Sequence, residues 1–125
     1  MGGRVTVRYE PIKLTLRTKG GGEGEVGFIG SALGRTTGHR ISFDFYRQGT
    51  EIYRTRKGNY ITYFYFRGDG GKIQLADYVR TESLDLGAIR SALKAAGIYP
   101  GPSYSEAVYN SLESIEFLEK VSLYP

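Results

Sequence analysis

Residues 51–67 read EIYRTRKGNYITYFYFR, and this stretch decides the fold class. Two runs rich in aromatic and β-branched side chains flank Lys57-Gly58-Asn59, a turn signal, so the segment predicts a β-hairpin. In its second half Tyr60, Phe64 and Phe66 share one face, and Ile61, Tyr63 and Tyr65 share the other. A strand that is apolar on both faces belongs in the middle of a sheet.

The same period of two extends outward from the hairpin. After the turn Gly68-Asp69-Gly70-Gly71, Ile73 and Leu75 alternate with Gln74 in a strand expected over 72–78. Before the hairpin, Ile41, Phe43 and Phe45 alternate with Ser42, Asp44 and Tyr46, and Gln48-Gly49 supplies a break. Nearer the start, Val5, Val7 and Tyr9 alternate with polar residues, as do Ile12, Leu14 and Leu16. The apolar phase flips across Pro11, which predicts a bend or bulge there. Gly20, Gly21, Gly22 and Gly24 read as a loop leading into a short strand over 25–29.

Beyond residue 81 the period changes to about 3.6. Ser83 or Asp85 caps a helix carrying Leu86, Ile89 and Leu93, which Gly97 terminates. Ser103 with Glu106 forms a capping box for a final helix striped by Val108, Leu112, Ile115 and Leu118. The expectation is one α+β domain spanning 1–125. A mainly antiparallel sheet of five to seven strands within residues 4–80 packs against helices at about 85–96 and 104–121.

Charge follows this division. The net charge of +4 averages a strand region with 14 basic and 7 acidic side chains and a helical region, after residue 80, with three and six. The acidic end is explained by Glu106, Glu113, Glu116 and Glu119 lying outside the apolar stripe of the last helix, as on any solvated helix face. The basic end invites an anionic partner.

Composition removes most catalytic chemistry. The chain has no Cys, and His39 is its one histidine, so thiolate catalysis, Cys-ligated zinc and histidine-based triads lack their parts. No metal site and no cofactor are expected. Amide side chains are confined to Gln48, Gln74, Asn59 and Asn110, a scarcity that points to a hyperthermophilic source, an archaeon or its virus. No apolar run approaches the roughly 20 residues of a membrane span, and no leader pattern opens the chain, which points to the cytoplasm, that of the host if the protein is viral.

Three motif-like patterns fail on their context. Gly22, Gly24 and Gly27 satisfy G-x-G-x-x-G, but Glu23 and Glu25 would repel a pyrophosphate and the next segment reads as strand instead of helix. The run from Lys57 to Tyr63 shares a basic residue, a glycine and alternating aromatics with the RNP1 strand of RNA-recognition domains, yet its spacing is one residue short and the order of elements differs. A metal-dependent nuclease built on Asp44, Glu51, Asp69 and Asp77 would want a lysine where Arg54 stands. No catalytic residue is therefore assigned.

One constellation remains. Arg40, Arg47, Arg54, Arg56, Lys57 and Arg67 surround the hairpin, interleaved with Tyr53 and Tyr60. Cations neutralise phosphates, and exposed tyrosine rings stack on unpaired bases. These eight residues form the expected contact surface for single-stranded DNA or RNA, in a protein that is not an enzyme. The alternative is a small oligomeric structural or interaction protein. Two helices can cover only one face of a sheet that is apolar on both, so a homodimer is the expected way to cover the other.

Overall fold

The computed structural model describes residues 8–18, 21–40, 47–67, 73–97 and 109–115. Five strands, β1 (Glu10–Arg17), β2 (Glu23–Arg40), β3 (Arg47–Thr55), β4 (Tyr60–Arg67) and β5 (Ile73–Thr81), run in meander order, each antiparallel to the next. They close into a barrel, with β1 meeting β5 at Arg17 and Ala76. Helix α1 (Leu86–Ala95) and a second helix, α2 (residues 109–115), cover part of its outer wall. This is the expected α+β domain, its antiparallel sheet packed against two C-terminal helices.

Closure depends on β2. Residues 23–30 of this strand pair with β1 and residues 30–40 pair with β3, so the chain changes partner at Gly30, which stands opposite both Glu10 and Thr55. A β-carbon on Gly30 would lie 2.9 Å from the Arg54 carbonyl oxygen and 2.7 Å from Cε2 of Phe28, so only glycine fits this corner. Register shifts between Ala32 and Gly34 and between Thr36 and His39 add the local twist that rolls a sheet over on itself.

The two faces of β3 and β4 fill two separate cores. Ile52, Phe64, Phe66 and Val79 point outward and pack under Ile89 and Leu93 of α1 and Leu112 and Ile115 of α2. Tyr53, Ile61, Tyr63 and Tyr65 point inward and meet Leu14 and Ala76 inside the barrel. Tyrosine is a costly choice for an interior unless its hydroxyl finds a partner. The Tyr63 hydroxyl donates to the Thr15 carbonyl oxygen at 2.8 Å, tying β4 to β1 across the barrel.

Local chemistry sets the helix ends. Asp85 caps α1, its carboxylate accepting hydrogen bonds from the Gly87 and Ala88 amides at 3.3 Å, and Gly97 follows the helix with a φ of 75°. Arg90 joins the helices through a 2.5 Å contact to Glu113 and by lying 4.9 Å from the centroid of the Tyr109 ring.

Several expectations change in the structure. Strand β1 begins at Glu10 and runs through Pro11, which pairs with Ile29, instead of breaking there. Pro11 is exposed at the second residue of the strand, far from the seam at Arg17, where a missing donor is tolerated. The short strand expected at 25–29 lies within the first half of the 18-residue β2. The sheet's inner face is covered by closure of the barrel, which removes the reason for expecting a second subunit to cover it. The strand expected at 41–45 and the Ser103/Glu106 capping box lie outside the described residues, as do residues 5–7.

Candidate functional site

The β3–β4 turn is built to hold its side chains still. Thr55 and Asn59 bracket it: the Thr55 amide donates to the Asn59 carbonyl oxygen at 2.8 Å, and the Thr55 hydroxyl donates to Asn59 Oδ1 at 2.5 Å. Gly58 takes a φ of 92° between them, and its amide returns to the Thr55 carbonyl oxygen at 3.0 Å. A three-residue loop ending in a left-handed glycine is a favoured way to close a twisted hairpin. The next amide, that of Arg56, donates to the Ile29 carbonyl oxygen at 2.9 Å and pins the turn against β2.

A cavity of about 350 Å³ opens beside this turn, at one mouth of the barrel. Phe28 and Ile29 supply apolar wall, while Arg56 and Lys57 from the turn and Arg80 from β5 supply three positive charges. No carboxylate is among its described lining residues. Arg56, Lys57 and Arg80 are all exposed, and none forms an ion pair among the described residues. Phe28 stands edge-on to Tyr53 with ring centroids 5.5 Å apart, which holds its ring in place. An unneutralised group of cations beside an apolar wall suits a ligand with a negative charge and a flat hydrophobic part.

The eight residues singled out in the sequence separate into three groups. Arg54, Arg56, Lys57 and Tyr60 gather at the turn. Arg54 and Tyr60 lie on the outward face, half-buried, with the guanidinium 3.2 Å from the tyrosine hydroxyl and 5.5 Å from its ring centroid. Arg40, Arg47 and Arg67 are register partners in a row across β2, β3 and β4 at the opposite end of the hairpin. At about 3.3 Å per residue, that row is roughly 26 Å from the turn. Tyr53 belongs to neither group.

Tyr53 is only 8% exposed, and its ring lies inside the barrel. This corrects the expectation that it offers a stacking surface: odd positions of β3 face inward, and closure of the barrel buries them. Its hydroxyl donates to Glu51. Burial raises this hydroxyl above the ordinary tyrosine value, and the neighbouring Glu51 carboxylate raises it further as hydrogen-bond acceptor and as charge. The native state thus keeps a proton that the unfolded chain releases near pH 10, so this contribution to stability is complete below about pH 10 and lost as pH rises above it. Urea unfolding between pH 9 and 11.5 checks the sign. Wild type should lose up to about 1.4 kcal/mol per pH unit more than Tyr53→Phe, and equal slopes would refute the assignment.

Nothing in the sequence marks Phe28, Ile29 or Arg80 as members of a site. Phe28 and Ile29 sit in a stretch that reads only as strand, and Arg80 is more than twenty residues downstream of the turn whose cavity it lines. Pairing of β4 with β5, which sets Arg80 beside Ile61, brings it there. Gly24 and Gly27, two members of the G-x-G-x-x-G pattern, lie within strand β2 and open no helix. The Glu51 carboxylate of the discarded nuclease pattern is the acceptor for Tyr53. Comparisons with protein-family models, curated proteins and solved structures find no match to this chain.

Proposed function

We propose that this chain is a non-enzymatic protein that binds single-stranded nucleic acid at the barrel mouth beside the β3–β4 turn. The observation that carries the reading is the convergence of Arg56, Lys57 and Arg80 on one cavity walled by Phe28 and Ile29 and free of carboxylates among its described lining residues. Phosphates meet the cations, and an unpaired base lies against the apolar wall. Arg40, Arg47 and Arg67, neighbours in the register of the same sheet, belong to this reading by their backbone positions. Single strands are favoured over duplex because a cavity of this size admits a splayed-out base and not a paired one, and among the described residues no helix borders the cavity as a recognition helix would.

Salt dependence is the test. Anisotropy titrations with labelled oligo-dT, oligo-rU and a matched duplex between 50 and 300 mM salt should rank both single strands above the duplex. Up to three ion pairs at the mouth, one for each cation, give a slope of up to about −2 for log K against log salt. The Arg56→Gln/Lys57→Gln variant should lose at least tenfold in affinity and flatten the slope to about −0.7. A variant indistinguishable from wild type, or binding insensitive to salt, rejects this surface.

A further inference from the structure

Resting on that reading, we infer that the barrel mouth is a receptor for the phosphorylated end of a strand: a terminal phosphomonoester held by Arg56, Lys57 and Arg80, with its own base against Phe28 and Ile29. A groove that tracks the interior of a strand spreads its cations along a path, one for each phosphodiester. Here three cations from two separate segments, the turn and β5, border one concavity of about 350 Å³. That volume lies near the lower end, roughly 300 Å³, of sites that enclose a small molecule, so it holds one nucleotide unit and not a run of them.

Charge leads to the same ligand. A phosphodiester carries a single negative charge, whereas a terminal phosphate carries about −1.5 to −2 at neutral pH and offers three acceptor oxygens. Three neighbouring cations with no described carboxylate among them repel one another until an anion arrives, and the anion with more charge and more acceptors relieves more of that repulsion. The second cationic group, the row of Arg40, Arg47 and Arg67, is roughly 26 Å away and cannot share the same phosphate.

The site is also prepared in advance. The Thr55/Asn59 bracket and the Arg56 amide bond to Ile29 hold the turn, and the edge contact with Tyr53 holds the Phe28 ring. Little ordering therefore remains when the ligand enters. A phosphate at a 5′ end and one at a 3′ end present the same chemistry to these residues, so the experiment separates them.

Labelled 12-nucleotide oligo-dT bearing a 5′-phosphate, a 3′-phosphate or hydroxyls at both ends is titrated against the full chain, with covalently circular oligo-dT as competitor. At least one phosphorylated form should bind tenfold or more tightly than the hydroxyl-ended form, and the circle should compete no better than that form. Arg80→Gln, at an exposed position and checked for an unchanged thermal transition, should bring the phosphorylated oligonucleotide down to the level of the hydroxyl-ended one. If hydroxyl-ended and circular strands bind as tightly as phosphorylated ones, strand-end recognition is overturned while single-strand binding survives. If no form binds, both fall. A phosphate preference that persists in Arg80→Gln removes this cavity as its site.

Discussion

Phe64→Ala is expected to destabilise the protein by about 3–5 kcal/mol, the range for deleting a fully buried aromatic side chain. Phe64 has no solvent exposure and lies in the outward core, where β3, β4 and β5 meet α1 and α2. Among the described residues its ring is the largest fully buried side chain, so truncation removes apolar burial and leaves a hole that Ile52, Phe66, Ile89 and Leu112 cannot all move to fill. Small domains have total stabilities of about 5–15 kcal/mol, so the loss is at least about a fifth of what holds the chain folded. Urea unfolding followed by circular dichroism checks it, with an unchanged m-value showing that the midpoint shift reports stability. A loss under about 1.5 kcal/mol would mean that the helices do not depend on this contact.

Gly49→Ala should also be costly, for the opposite reason. Gly49 is buried on β3 directly opposite Tyr65 of β4, and the Tyr65 ring lies across its bare α-carbon. A β-carbon there would stand 2.7 Å from Cε2 of that ring, and closer still to its hydroxyl end, so an added methyl group pushes either the ring or the strand. Overpacking of this kind costs about 1–3 kcal/mol, more than the roughly 0.5–1 kcal/mol that alanine saves in unfolded-chain entropy. A double-mutant cycle with Tyr65→Val isolates the clash. In that background Gly49→Ala should cost less than about 0.5 kcal/mol, and an equal cost in both backgrounds would place the strain elsewhere.

Phe64 and the Tyr65 ring that Gly49 accommodates lie on opposite faces of β4. The alternation of Phe64 and Phe66 with Tyr63 and Tyr65 is visible along residues 60–67 because strand period is a local property: successive side chains point to opposite faces whatever the rest of the chain does. The hairpin turn, the Asp85 cap and the Gly97 stop are legible for the same reason, since each depends on residues within one turn of backbone. The second half of β2 is not legible. Residues 30–40, GSALGRTTGHR, carry little alternation and three glycines, and they become strand because β3 imposes its ladder on them.

The candidate site divides along the same line. Arg56 and Lys57 neighbour each other in sequence and at the turn, and Arg54 and Tyr60 meet because a hairpin brings its arms together. Tyr53 resembles Tyr60 in the sequence and has the opposite fate, inside the barrel instead of at its outer edge. Arg80, Phe28 and Ile29 come to the turn only through pairing between distant strands.

Local order along the chain therefore settles the class of fold, the hairpin, the position of the first helix and the concentration of positive charge in the strand region. Whether the sheet stays open or closes, which tyrosines are wet, and which cations share a cavity depend on the corner at Gly30 and on the meeting of β1 with β5. Those are contacts between residues far apart in sequence, and period, capping and turn chemistry carry no information about them.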